Sequence, residues 1–145
     1  MYFDDLPKGY TFETGTRTLC EDDIIGFARK WDPQDFHTDA EAAKSSPYGG
    51  LIASGFHTML TAFALVLEAD IWNEASMGSP GMENLRWIRP VRPGDTLRVE
   101  AEVTSSTPSN SRSDRGRTGF QHRVLNQNDE VVMTYHCVNI LARRP

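Results

Sequence analysis

A carboxylate and an imidazole stand five residues apart in Trp31-Asp32-Pro33-Gln34-Asp35-Phe36-His37, a spacing that no regular element brings to one point. On an α-helix the two side chains would lie about 140° apart around the axis. On a strand the odd separation sends them to opposite faces. Pro33 removes a backbone donor and drives Asp32 out of the helical region, so the chain has to leave a helix here and bend. Such a bend could aim Asp32 and His37 at a single water, and a carboxylate with an imidazole around one water is a proton-transfer device suited to near-neutral pH. The same residues also fit an ordinary helix stop followed by a turn and a surface histidine. The elements around them have to decide.

Upstream, Tyr10 to Leu19 alternates and is rich in Thr, which predicts a strand flawed by Gly15. Thr18-Leu19-Cys20-Glu21 has the capping-box pattern and precedes Ile24, Ile25, Phe27, Ala28 and Trp31 at helical spacing. That helix should stop at Asp32-Pro33. Thr38 to Lys44 predicts one or two helical turns with Thr38 and Glu41 as a second capping box, before the turn-rich Ser45-Ser46-Pro47-Tyr48-Gly49-Gly50. Ser54-Gly55 opens the strongest helix, running to about Ile71, in which Phe56, Met59, Leu60, Phe63, Ala64, Leu65, Val66 and Leu67 leave little polar face. A helix apolar nearly all round is expected to be buried on most sides. Leu85 to Arg89, Thr96 to Ser105, Thr118 to Asn126 and Glu130 to Leu141 then alternate between turn signals, each with one apolar face. An antiparallel sheet with one wet face, wrapped on one buried helix, satisfies both patterns, so the expected class is α+β with residues 1–145 as a single domain.

Composition narrows the function. Twenty acidic and 15 basic residues give a formal charge of −5, which disfavours a nucleic-acid partner. Basic residues cluster at Arg86, Arg89, Arg92 and Arg98, and again at Arg112, Arg115 and Arg117; such clusters suit either a small polyanion or a solvated strand face. The two cysteines, Cys20 and Cys137, lie in no metal or redox spacing, and no Gly-rich phosphate loop is present. No metal site is therefore expected. With no signal pattern and no apolar run long enough for a membrane, the expected location is the cytoplasm.

On these residues the chain resembles the MaoC-like dehydratase family, which includes the (R)-specific enoyl-CoA hydratases and has the hot-dog fold. The resemblance runs from about Tyr10 to Leu141 and is strongest from Phe27 to His57 and at Leu85-Arg86-Trp87-Ile88-Arg89-Pro90-Val91-Arg92-Pro93-Gly94-Asp95. The family pattern is Gly-Asp-x-Asn-Pro-x-His, followed by a loop ending in a small residue and Gly at the start of the central helix. Asp32, His37 and Gly55 match it. Trp31 stands for its Gly, Gln34 for its Asn and Asp35 for its Pro, and a serine common on the family's central helix falls near Phe63, with Thr61 the nearest hydroxyl.

The resemblance implies a coenzyme A thioester as substrate, no further cofactor, and a homodimer or higher homo-oligomer with the site near the subunit interface. Hydration of a 2-enoyl thioester needs a base for the water, an acid for the α-carbon and a donor for the developing enolate oxygen. Asp32 and His37 would serve the first two needs and the Gly55 N–H the third, because a helix N-terminus offers unpaired N–H groups and a positive dipole end. Ser54, expected as the N-cap, and Phe36 are candidates for lining the substrate. Arg86, Arg89 and Arg92 are candidates for the coenzyme's phosphates. His57, in the first helical turn, is expected as a lining or core residue. The expected activity is thus enoyl-CoA hydratase or 3-hydroxyacyl-CoA dehydratase. A non-catalytic acyl-CoA-binding module is the alternative, and a hot-dog thioesterase ranks below it because Glu68 and Asp70 lie far along the helix from Gly55.

Overall fold

The computed structural model describes residues 1–145. In chain order they form β1 (Thr11–Glu13), β2 (Arg17–Thr18), α1 (Glu21–Trp31), α2 (Asp35–Thr38), α3 (Ala40–Ala43), α4 (Gly55–Glu68), β3 (Gly81–Trp87), β4 (Thr96–Pro108), β5 (Arg115–Leu125) and β6 (Val131–Ala142). The strands make an antiparallel sheet in the order β1-β4-β5-β6-β3, with β2 adding to β4. Alternation along each strand decides its faces. Val99, Ala101 and Val103 of β4, Phe120 and Val124 of β5, and Met133, Tyr135 and Leu141 of β6 are buried on one side. There they join Met59, Ala62, Leu65 and Val66 of α4 in one core. This is the hot-dog arrangement, an α+β sheet wrapped on one long helix.

The other face of the sheet is wet and charged. One row crosses it as Glu100, Arg123, Thr134 and Arg86 in register, with Arg123 Nη2 3.3 Å from Glu100 Oε2. Arg98 adds ion pairs to Glu100 at 3.0 Å and to Asp129 at 2.7 Å. Much of the basic clustering in the sequence is this solvated face.

Several local expectations change. The expected strand over Tyr10–Leu19 divides into β1 and β2, because Thr14 folds back on β4: its N–H donates to the Val99 carbonyl at 3.0 Å and its hydroxyl accepts from the Val99 N–H at 2.9 Å. Cys20, not Thr18, sits at the N-cap of α1, with no side-chain cap bond. Asp39, not Thr38, caps α3, accepting from the N–H groups of Glu41 and Ala42. Trp31 is 66% exposed at the end of α1, with Lys30 Nζ 5.1 Å from its ring centre. Helix α4 ends three residues short of Ile71, where Asp70 turns into the left-handed region at φ 51°.

The largest correction concerns α4 itself. Phe56, Leu60 and Phe63 are 61%, 54% and 38% exposed, a stripe at helical spacing. Met82, Trp87 and Ile88, on and just after the edge strand β3, are exposed as well. Within one chain the helix is covered by the sheet and by α1, whose Phe27 stacks on His57, while this stripe stays open.

One buried titratable group has a consequence for stability. His122 on β5 is 2% exposed and stacks on Tyr135 with centroids 4.3 Å apart, its Nδ1 without a partner. Burial pushes its pKa down to about 4. As pH falls below about 6.5 the unfolded chain takes the proton first, so stability present above that pH is lost progressively down to about 4, by roughly 3 kcal/mol for this group. Urea unfolding from pH 7 to 4.5 is expected to give a flatter pH dependence for His122→Phe than for the parent chain. Equal slopes would show that His122 does not carry this acid sensitivity.

Candidate active site

Helix α1 has its apolar side pinned by Ile24 and Ala28, both 0% exposed. Asp32 closes the helix, its N–H donating to the Ala28 carbonyl at 2.8 Å while its backbone opens to φ −152° and ψ 67°. Pro33 then starts the chain in a new direction and α2 begins at Asp35. A double link ties α2 to the segment before α4: the Ile52 N–H donates to the Phe36 carbonyl at 3.0 Å, and His37 Nδ1 lies 2.8 Å from the Ile52 carbonyl oxygen. The Ala53 N–H donates to the Val91 carbonyl at 2.8 Å, fixing the same segment to the loop after β3. These bonds bring a helix end, a one-turn helix and a helix start together.

The result is convergence. His37 Nε2 lies 3.3 Å from Asp32 Oδ2, with the side chains only 6% and 16% exposed. A carbonyl oxygen can only accept, so Nδ1 carries a proton toward Ile52, and Nε2 is the ring atom left free to exchange one. Ser54 Oγ donates to Asp32 Oδ2 at 2.7 Å, and Gln34 Nε2 donates to Oδ1 at 2.7 Å. Partial burial on its own would raise the Asp32 carboxyl; the hydrogen bonds from Gln34 and Ser54, with the nearby His37 charge, outweigh it and hold the pKa below the usual carboxylate value. Asp32 is thus kept as a carboxylate, an acceptor for a water proton.

Helix α4 begins beside this pair. Ser54 is its N-cap, accepting from the Phe56 N–H at 3.3 Å. The Gly55 N–H, first in the helix, has no acceptor within the chain. The Gly55 carbonyl accepts from Trp87 Nε1 at 2.9 Å. A side-chain carbon at position 55 would land inside the Trp87 indole, far closer than carbon atoms tolerate. Glycine is required here by that close packing.

The remaining residues separate into near and far. Phe36 packs edge-on against His37 at 4.5 Å and against Tyr48 at 5.3 Å. Arg92 Nη2 donates to the Tyr48 carbonyl at 2.7 Å, which keeps that guanidinium beside the loop flanking His37. Arg89 pairs instead with Glu130 at 3.1 Å. Trp87 shares the core face with its partner Met133, so the preceding Arg86 points to the outer face, opposite Thr134. His57 stacks on Phe27 at 4.6 Å, and burial lowers its pKa despite the nearby Asp23 charge. Packed against α1, the ring is disfavoured in its charged form. Glu68 pairs with Arg17 at the other end of α4, about 20 Å from Gly55 by helical rise, too far for a carboxylate acting at that helix start.

Three participants were not identified from sequence as parts of the site: Gln34 as a donor to Asp32, Trp87 as the ring against Gly55, and the Ile52 carbonyl that orients His37. Gln34 had a signal, a donor side chain two residues from Asp32. The other two come from elements distant in sequence.

Comparison with known proteins shows the family and the fold. A family profile described as "MaoC like domain" matches residues 7–124. A MaoC-like dehydratase from Rhodospirillum rubrum superposes with a TM-score of 0.94 at 38% identity, covering 100% of this chain and 99% of that one. The 3-hydroxybutyryl-CoA dehydratase of Methylorubrum extorquens is 30% identical over 118 residues, 78% of this chain and 70% of its own length. Protein MaoC of Klebsiella aerogenes is 35% identical over 113 residues, 77% of this chain but 33% of that protein, so this chain spans about a third of it.

Proposed function

The chain belongs to the MaoC-like domain family, and from that premise we propose that it hydrates a 2-enoyl-CoA thioester to a 3-hydroxyacyl-CoA, or runs the reverse dehydration, in the cytoplasm. The observation that carries the reading is the 3.3 Å approach of His37 Nε2 to Asp32 Oδ2 beside the free N–H of Gly55. One water held between the carboxylate and the imidazole loses a proton to the pair as its oxygen attacks the β-carbon. The thioester carbonyl gathers the displaced electrons as an enolate oxygen facing the Gly55 N–H and the positive end of α4. The pair then returns a proton to the α-carbon, so one water is added across the double bond and the enzyme is regenerated. Phe36 would line the substrate, and Arg92, beside the loop flanking His37, is the best placed of the three arginines for the coenzyme's phosphates. No helix is long and apolar enough to cross a membrane.

The test is a panel of short, medium and branched 2-enoyl-CoAs, followed by loss of the enoyl absorbance. At least one member should be hydrated. Binding of the panel without turnover of any member would point instead to an acyl-CoA-binding module.

The active unit in this proposal is a homodimer. The exposed stripe of Phe56, Leu60 and Phe63, with the unpaired edge of β3 and its Met82 and Trp87, is a surface that proteins cover. Sedimentation at micromolar concentration should give a dimer or larger, and Leu60→Glu should shift it toward monomer. A stable parent monomer would count against the dimer.

A further inference from the structure

Ser54 is 0% exposed, and its one hydroxyl proton is committed: Oγ donates to Asp32 Oδ2 at 2.7 Å while accepting from the Phe56 N–H at 3.3 Å. A hydroxyl has a single donor, so nothing remains to offer a substrate. The oxygen therefore connects two parts of the site that the chain supplies from different places, the carboxylate closing α1 and the unpaired N–H groups opening α4. We propose that Ser54 is a positioning residue, not a substrate contact: it latches the Asp32 carboxylate to the N-terminus of α4, so that the water-activating oxygen and the Gly55 N–H are held as one rigid unit.

The latch explains features that a plain N-cap does not need. A cap requires only an acceptor for the first turn of α4, yet Ser54 also spends its proton on the oxygen nearest His37. With Gln34 holding Oδ1, both carboxylate oxygens are fixed and the group cannot rotate. Rotation would carry Oδ2 away from Nε2 and from the position where the pair would share a water. A misplacement of that kind lowers the rate without touching ground-state binding.

The rate arm of the test rests on the hydratase reading, and a second arm does not. Ser54→Cys is nearly isosteric and a weaker donor, so it should fold even where Ser54→Ala does not. In either variant kcat should fall by about tenfold to a hundredfold, the effect of losing one hydrogen bond to a charged group. KM should stay within about twofold, as expected when a transition-state interaction alone is lost. Ser54→Thr, which keeps the hydroxyl, should restore most of the rate. Independently of any substrate, carbon-13 labelling of aspartate should show the Asp32 carboxyl titrating at higher pH in both variants, the resonance being assigned with Asp32→Asn. An unchanged Asp32 titration with reduced thermal stability would reduce Ser54 to a helix cap. A raised KM at constant kcat would make it a substrate contact. If the parent chain hydrates nothing on the panel, the titration still decides the latch and only the hydratase reading fails.

Discussion

Asp32→Asn and His37→Ala are each expected to lower 2-enoyl-CoA hydration by about 10²–10⁴-fold, the usual worth of a general acid–base group, while leaving acyl-CoA binding nearly intact. Asn at position 32 keeps one acceptor oxygen for Ser54 or Gln34 but cannot take a proton from water. Ala at position 37 also strips the Ile52 carbonyl of its partner at 2.8 Å, which adds a stability cost of about 1–3 kcal/mol. His37→Asn, whose amide N–H can reach that carbonyl, separates the two effects and should be as inactive but more stable. Because the proposed mechanism has Nε2 and Oδ2, 3.3 Å apart, act on one shared water, the double variant should lose little more than the worse single one. Steady-state rates on a hydrated panel member measure all four chains. Losses that multiply would rule out a shared water, and full activity in both single variants would return the segment to an ordinary helix stop.

Gly55→Val should lower both turnover and stability. The new side chain meets the Trp87 indole, so either the ring leaves or the start of α4 shifts, taking the Gly55 N–H out of line. Overpacking of this kind costs about 1–3 kcal/mol, and loss of one oxyanion donor costs about 10²–10³ in rate. Adding Trp87→Ala to Gly55→Val removes the obstruction. The double variant is expected to regain most of the stability and of the turnover, since the N–H belongs to the backbone. Recovered folding without recovered turnover would mean that the valine crowds the thioester itself. Unchanged turnover in a well-folded Gly55→Val chain would take Gly55 out of the mechanism.

How much of this was legible in the sequence depends on how local each cause is. The break at Asp32-Pro33 is local, because proline restricts its neighbour whatever surrounds it. The cap at Ser54 and the existence of four strands after the central helix likewise follow from side-chain type and alternation. Asp32, His37 and Gly55 could be named for those reasons. Their meeting could not be derived, since it depends on the links between Ile52 and residues 36 and 37. Nor could the residue that demands glycine at position 55, because Trp87 lies 32 residues away.

Strand phase marks the boundary most clearly. In β3 the register slips between Glu83 and Arg86, with Asn84 at φ 52°. Three steps along β3 there match two along β6, so the faces exchange. That one extra residue turns Trp87 onto Gly55 and sends Arg86 to the wet face. Likewise α4 looked apolar all round, and only the packing reveals that its own sheet leaves Phe56, Leu60 and Phe63 uncovered. The sequence by itself determined which groups could do chemistry and which elements carry them, because backbone preference and side-chain period act within a few residues. Tertiary structure decided which groups meet and which face a strand presents, because register and packing are set between segments far apart in the chain.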